Sequence, residues 1–171
     1  MSAIALRPYL PADAPALADL FRAAIAELTG EDYDSEQQEA WAAKADDAEA
    51  FAARLAASLT LVALRGKAVA GFVSLKDNAH IEMLYVAPDA VGTGVAKALC
   101  DAAETLAKAR GTRKLTVDAS DTALGFFQKR GYSVHWLSVD YSPRLDRDVE
   151  SIGLRRQLVA DEPIGYGPGR L

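Results

Sequence analysis

The chain has 171 residues, of which 50% are hydrophobic and 25% are charged, and its formal net charge is −5. This length and composition predict one globular domain over residues 1–171, and the acidic balance leaves no basic stripe for a phosphate backbone, so we expect no nucleic-acid partner. The single cysteine, Cys100, and the lack of an apolar stretch of membrane-spanning length favour a cytoplasmic protein with no membrane contact.

The first part of the chain predicts one strand and then several helices. The apolar run Ala3–Arg7 suits an edge strand, and residues 11–28 carry apolar side chains at helical spacing. A polar break at 29–34 precedes a second helix that holds Trp41, and a third helical segment contains Phe51. Because these helices come before the next strand, the chain does not begin as a simple βαβ alternation.

Three strands joined by tight turns are predicted next, at 60–64, 68–75 and 80–86. Connections this short can join only antiparallel neighbours, because parallel strands need a longer crossover. We therefore expect an antiparallel meander.

A glycine pair then opens a long helix. Gly92 and Gly94 follow the strand 80–86, a helix is predicted over 93–110, and a further strand covers 114–118. The two strands and the helix between them form a right-handed crossover with parallel strands. Glycines let the backbone approach a ligand closely, and the first turn of a helix offers unpaired N–H groups, so this loop is suited to a phosphate or pyrophosphate.

The remaining residues predict a short helix and two more strands. The helix begins after Ser120 or Asp121 and ends before Gly131. A long apolar strand, a charged loop and a last strand follow at 132–141, 143–151 and 152–159. The long strand is a possible edge for a homodimer, and the glycine- and proline-rich residues 160–171 are expected to form a loose tail.

A dinucleotide-binding loop is one alternative for the glycine pair. The order of strand, Gly-x-Gly, helix and a second strand ending in Asp118 matches the spacing of that fingerprint. The third glycine position, however, holds Lys97, and the strand before the loop closes an antiparallel meander instead of opening a parallel sheet. A P-loop is also unsuitable because its Gly-Lys-Ser/Thr ending is absent.

Two motifs resemble those of the GNAT family of N-acetyltransferases. Residues 91–96, Val-Gly-Thr-Gly-Val-Ala, resemble the acetyl-CoA signature Gln/Arg-x-x-Gly-x-Gly/Ala, and the pair Phe126-Phe127 within 123–132 resembles the second CoA motif. The order of elements matches almost the whole chain. A bacterial branch of the family is the nearest likeness, through Tyr33-x-x-Glu-Gln37-x-x-Ala-Trp41 and the runs 81–86 and 117–120.

This resemblance implies an α/β fold of the α+β kind, with a mixed, mostly antiparallel sheet of about seven strands flanked by helices. It also implies transfer of the acetyl group of acetyl-CoA to a primary amine, carried by a small molecule or a peptide, through direct attack in a ternary complex. The implied cofactor-binding residues are Leu84, Tyr85, Val86, Val91, Gly92, Thr93, Gly94, Val95, Ala96, Lys97, Phe126, Phe127 and Lys129.

Two positions depart from the family pattern. Val91 replaces the Gln or Arg of the first motif, and Phe127 stands where the family commonly has a tyrosine that protonates the departing thiolate. These departures leave open a second class of function, a non-catalytic acyl-CoA sensor or interaction module.

Glu82 is the candidate proton acceptor, since the family often places a carboxylate on this strand. Strand alternation predicts that its side chain shares a face with Leu84 and Val86, and an edge-exposed or salt-bridged structural carboxylate is the alternative. A backbone N–H between Leu84 and Val86 is the expected donor to the thioester oxygen. The candidate proton donors are Ser120, Tyr132, Tyr141 and water.

Tyr33 and Trp41 are candidate acceptor-binding residues, because the resemblance implies that the first helices form one wall of the cleft. An aromatic wall suits a cation or a ring, and core packing is the alternative role for Trp41. His80 and His135 are interpreted as structural or surface residues, and we expect no metal site.

Overall fold

Seven strands form one sheet: β1 (Ile4–Pro8), β2 (Leu59–Arg65), β3 (Ala68–Lys76), β4 (His80–Val86), β5 (Lys114–Ala119), β6 (Ser133–Ser142) and β7 (Arg147–Gln157). The computed structural model describes the backbone of residues 3–142, 145 and 147–159, and the side chains of this part except 138–142 and 147–151. The expected tail at 160–171 and the side chain of Tyr141 lie outside the described residues.

The strand order is β1-β2-β3-β4-β5-β7-β6. Neighbouring strands pair antiparallel, except that β4 and β5 pair parallel. The mixed, mostly antiparallel sheet expected from the sequence is therefore confirmed, as is the meander of β2, β3 and β4.

In the described part of the chain, five α-helices flank the sheet: α1 (Ala14–Leu28), α2 (Ser35–Ala42), α3 (Ala48–Ala57), α4 (Val95–Ala109) and α5 (Asp121–Lys129). Leu17 and Phe21 of α1 and Leu55 of α3 pack in one core cluster with Phe72 and Met83 of the sheet. The other cluster holds the buried faces of α4 and α5. Within the described ranges, no helix is both long enough and apolar enough to cross a bilayer.

Helix α4 lies very close to β3 because Gly71 has no side chain. A Cβ atom at this position would lie 2.8 Å from Cγ1 of Val95 and 2.8 Å from the carbonyl oxygen of Tyr85. The glycine thus sets the height of the first turn of α4 above the sheet, next to the end of β4.

The last hairpin differs from its prediction. The charged loop predicted at 143–151 and the strand predicted at 152–159 were wrong in their boundaries, because β7 already begins at Arg147 and pairs there with Ser142 of β6. The charged sequence suggested a loop, but a strand near the edge of a sheet accepts charged side chains on a face that meets water.

Candidate active site

Strands β4 and β5 lie side by side only at their beginnings. Their parallel pairing consists of His80 with Thr116 and Ile81 with Val117, after which the two strands diverge. A cleft of about 210 Å³ opens at this point. It is lined by α1 and α2 residues such as Ala24 and Trp41 on one side of the sheet and by α4 and α5 residues on the other, so it passes through the sheet.

Backbone N–H groups of β4 face this gap. The amide of Ala87 donates to the carbonyl of Ala70 at 2.8 Å, and the antiparallel register pairs Val86 with Gly71 and Leu84 with Val73. Because successive residues of a strand direct their N–H groups to opposite sides, the amides of Leu84 and Val86 point away from β3, towards the space where β5 has diverged.

The glycine loop lies at the beginning of α4. Gly92 and Gly94 have φ values of 76° and 90°, in the left-handed region that favours glycine. Gly94 is the N-cap of α4 and no side chain caps this end, and the first helical bond runs from Ala98 to the carbonyl of Gly94 at 3.0 Å. The amides of residues 95–97 therefore precede the first helical hydrogen bond and can bind an anion.

Side chains around this loop leave the amides accessible. Val91, at the position where the resemblance expects Gln or Arg, is 53% exposed. The hydroxyl of Thr93 donates to the carbonyl of Ala90 and stabilises the turn, and Lys97 pairs with Asp101 at 2.6 Å. Val95 is buried against the sheet, whereas Ala96 lines the cleft.

Glu82 lies in a β-bulge. The register moves from Ser74 with Met83 to Leu75 with Ile81, so Glu82 is the extra residue of β4. Its side chain therefore does not follow the predicted alternation with Leu84 and Val86.

The carboxylate of Glu82 instead contacts the end of α3. It accepts from Nη2 of Arg54 at 3.1 Å and from the hydroxyl of Ser58 at 3.3 Å, and its side chain is 22% exposed. Glu82 also lines the cleft. The same carboxylate therefore forms a salt bridge, as in the alternative role considered from the sequence, and is also accessible from the cleft.

A second carboxylate in the cleft, Asp118, was not predicted from the sequence as a site residue. Asp118 lines the cleft near the end of β5 and is 49% exposed. Its Oδ2 lies 3.6 Å from Nε2 of His80, whose Nδ1 is 2.7 Å from the hydroxyl of Thr116. The signal was its position at the carboxyl end of a strand that begins parallel to β4, the edge at which open sheets bind ligands.

Three aromatic rings form a stack at the α1–α2 side of the cleft. Tyr33 and Trp41 meet edge to face with centroids 5.5 Å apart, and Nε1 of Trp41 donates to the hydroxyl of Tyr85 at 3.0 Å. Burial raises the pKa of Tyr85 to about 12, so its hydroxyl stays protonated and retains a proton to donate. Trp41 and Tyr85 line the cleft.

Tyr33, predicted as an acceptor-binding residue, is not among the residues that line the cleft, although its ring contacts Trp41, which does line it. Its hydroxyl accepts from the backbone N–H of Asp121 at 2.8 Å, and the neighbouring Asp32 accepts from the hydroxyl of Thr122 at 2.6 Å. Burial raises the pKa of the Tyr33 hydroxyl as well. The loop between α1 and α2 is thus bound to the first turn of α5.

The N-cap of α5 places a hydroxyl in the cleft. Ser120 accepts from the backbone N–H of Ala123 at 3.2 Å, which leaves its own proton available, and it lines the cleft together with Phe126. Phe127 also contributes to the lining but is only 2% exposed and packs edge to face on Phe126, with centroids 5.2 Å apart. Lys129 is exposed in the last turn of α5, outside the lining.

Tyr132, another candidate proton donor, is engaged elsewhere. Its hydroxyl donates to Glu104 of α4 at 3.0 Å, and the same carboxylate accepts from Arg130 at 2.8 Å and from Arg156 at 2.9 Å. Burial and the adjacent Glu104 raise the pKa of Tyr132. Tyr132 does not line the cleft, and this polar cluster instead connects α4 with the end of α5 and with β7.

Neither histidine singled out in the sequence belongs to a metal centre. In the described part of the chain, no group of three or more His, Cys, Asp or Glu side chains is arranged to hold a metal ion. His80 bonds to β5, as given above, and His135 is the bulged residue of β6 between Val134 and Trp136.

Comparison with known proteins identifies the class. The protein-family model described as acetyltransferase (GNAT) domain matches residues 29–140 of this chain. The uncharacterized N-acetyltransferase YafP of Escherichia coli (strain K12) is 35% identical over 132 residues, which cover 77% of this chain and 83% of that protein.

Solved structures agree with this assignment. The crystal structure of a GCN5-related N-acetyltransferase from Rhodopseudomonas palustris, also titled aminotransferase, class-II, is 49% identical, with a TM-score of 0.86 over 92% of this chain and 97% of that chain. PaiA N-acetyltransferase from Thermoplasma acidophilum, solved in complex with coenzyme A, has the same fold at 18% identity, with a TM-score of 0.73 over 91% of this chain and 99% of that chain. The chain belongs to the GNAT family, and its class of enzyme is N-acetyltransferase.

Proposed function

We propose that this protein transfers the acetyl group of acetyl-CoA to a primary amine by direct attack within a ternary complex. The observation that carries the proposal is the cleft that passes through the sheet between β4 and β5. An anion-binding helix terminus lies on one side of the sheet and an aromatic wall on the other, so two substrates can approach the same point from opposite faces.

The first substrate fits the glycine loop. The pyrophosphate of CoA would accept from the amides of residues 92–97, which supply this contact without the side chain that Val91 lacks. The pantetheine arm would extend along residues 84–86 and contact Phe126, and Lys129 would lie near the polar end of the cofactor. The amide of Leu84 or Val86 would donate to the thioester oxygen as negative charge develops there.

Two side chains are proposed for proton transfer. Glu82 would accept the proton of the acceptor ammonium, directly or through a water molecule, while Arg54 and Ser58 hold its carboxylate in one orientation. Ser120 would relay a proton, giving its own to the departing thiolate and regaining one from the nitrogen of the tetrahedral intermediate, because Phe127 has no hydroxyl. The body of the acceptor would lie against Tyr33 and Trp41, with its amino group directed to Glu82.

The proposal includes a cytoplasmic location and a single domain over residues 1–171. The location is supported by the sole cysteine, Cys100, which is buried and has no partner for a disulfide. A homodimer through β6 is also proposed, since this strand lies at the end of the sheet and exposes Val134 and Leu137.

The decisive experiment combines acetyl-CoA binding with release of free CoA thiol across a panel of amines. Gly94→Trp is expected to reduce acetyl-CoA binding severely, because its side chain and the loss of the left-handed backbone disrupt the loop. Gly66→Trp is the matched control, since this glycine also has a positive φ, 62°, and lies in the open turn between β2 and β3. Equal binding losses in both variants, or no binding by the wild type at sub-millimolar concentration, would contradict the proposal.

A non-catalytic acyl-CoA sensor is the second candidate, favoured by Val91 and by the buried Phe127. This function predicts CoA binding without thiol release above the rate seen in the absence of an acceptor. Steady turnover with any amine excludes it.

A further inference from the structure

The charged side chains that line the cleft are all acidic. Among the described residues that line it, Glu82 and Asp118 are the charged ones, and lysine and arginine do not occur. Arg54 lies outside the lining, and its Nε and Nη2 both donate to the carboxylate of Glu82, at 3.3 Å and 3.1 Å. On β4, Nε2 of His80 lies 3.6 Å from Oδ2 of Asp118.

An acceptor that carries its own carboxylate or phosphate would meet this cleft without a counterion. Like charges placed close together in a site cost several kcal/mol, and a desolvated anion also needs hydrogen-bond donors. The protons free for a ligand belong to the hydroxyls of Tyr85 and Ser120, as well as to the β4 amides that face the gap. These donors are too few to serve both an anionic group and the thioester oxygen.

The wall opposite Asp118 is apolar and aromatic. It consists of Ala24, Ile25 and Leu28 of α1 together with the rings of Trp41 and Tyr85. The ring stack is rigid, because the indole N–H is bonded to the Tyr85 hydroxyl and Tyr33 is bonded to the beginning of α5. Such a wall accepts a flat ring or the face of a cation.

The size of the cleft limits the acceptor further. Its volume of about 210 Å³ is below the roughly 300–1,000 Å³ typical of sites for drug-sized ligands, and part of it has to admit the pantetheine arm. The space that remains suits a molecule with one ring and a short chain.

We infer that the acceptor is a small arylalkylamine, a primary amine on a short carbon chain attached to one aromatic ring, without a carboxylate or phosphate. This inference rests on the proposed function and narrows its acceptor class. The ring packs against Trp41 and Tyr85, and the ammonium lies between the carboxylates of Glu82 and Asp118 before it loses its proton.

The test compares phenethylamine with L-phenylalanine, which differs by one carboxylate, and with 1,4-diaminobutane, which is cationic but has no ring. We expect kcat/KM for phenethylamine to exceed that for L-phenylalanine by at least about thirtyfold and to exceed that for the diamine. Equal or better turnover of L-phenylalanine, or a preference for the diamine, would overturn the inference while leaving N-acetyltransferase activity intact.

Binding measurements separate this inference from the proposed function. Calorimetry with the full chain saturated by CoA measures the affinity of each compound without any transfer. Preferential binding of phenethylamine without acetylation would support the acceptor class and refute the activity. If no compound binds to the CoA complex and none is acetylated, the inference fails.

Asp118→Asn tests the electrostatic part. This variant removes one cleft carboxylate with little change of shape, and we expect the preference for phenethylamine over L-phenylalanine to fall by about tenfold. Asp19→Asn is the matched control, because Asp19 is 79% exposed on α1 and pairs with Arg22 away from the cleft. An unchanged preference in Asp118→Asn, or an equal change in both variants, would contradict the role of Asp118.

Discussion

Glu82→Gln is the substitution that most directly tests the proposed chemistry. It preserves the size of the side chain and its ability to accept hydrogen bonds from Arg54 and Ser58, but it removes the proton acceptor. If Glu82 takes the proton of the acceptor, kcat at neutral pH should fall by about 10² to 10⁴ while acetyl-CoA affinity barely changes. The loss should become smaller at high pH, where the acceptor amine loses its proton to solvent.

The exposure of the Glu82–Arg54 ion pair also gives the largest change in kcat expected if Glu82 has only a structural role. The ion pair joins side chains that are 38% and 22% exposed, and pairs so accessible to solvent contribute at most about 1 kcal/mol to stability. Even if all of that free energy were lost from the transition state, kcat would fall by roughly fivefold or less, and the loss would not depend on the ionisation of the acceptor.

Steady-state rates of thiol release between neutral and alkaline pH distinguish the two roles. Ser58→Ala provides the control, because it removes only the hydrogen bond of 3.3 Å and leaves the carboxylate in place. A Glu82→Gln enzyme within about threefold of the wild type across this pH range would refute the assignment. A parallel loss of acetyl-CoA affinity would identify Glu82 as a support for β4.

Two further predictions concern stability. Glu104→Gln should lower the free energy of unfolding, measured by urea denaturation, by about 2–4 kcal/mol, because it weakens the ion pair with Arg130, whose side chain is only 12% exposed. The control is Glu49→Gln at an exposed position, which should change the free energy of unfolding by less than about 0.5 kcal/mol. The hydrogen bonds from Arg7 lower the pKa of Asp13 below its ordinary 3.8. This carboxylate therefore stabilises the fold fully at pH values above 3.8, and its contribution is lost as the pH falls through the folded-state pKa. Asp13→Asn should flatten the acidic part of a plot of unfolding free energy against pH, and an unchanged plot would refute this linkage.

The sequence by itself determined the features that depend on neighbouring residues. Helical spacing, the tight turns of the meander and the glycine pair at 92 and 94 are local patterns, and each corresponds to an element of the fold. Glycine adopts positive φ without strain, so the residue type at positions 92 and 94 permits the loop conformation that the structure shows. The loop at the beginning of α4 could therefore be predicted from a short segment.

Tertiary structure decided which residues lie together around the cleft. Glu82 and Arg54 are 28 positions apart, Trp41 and Tyr85 are 44 apart, and Tyr33 and Asp121 are 88 apart. No local pattern brings such residues together. The bulge at Glu82 also reversed the direction that simple alternation assigned to its side chain, because one extra residue shifts the period of the strand.

The same distinction explains why Asp118 was missed and why Tyr132 was retained as a candidate. Asp118 lines the cleft near the point where β5 diverges from β4, whereas Tyr132 lies outside the lining and donates to Glu104 of α4. Both outcomes depend on how strands and helices pack across the sheet. Sequence patterns specify the elements and the loop, whereas the packing of distant elements determines which side chains share the cleft.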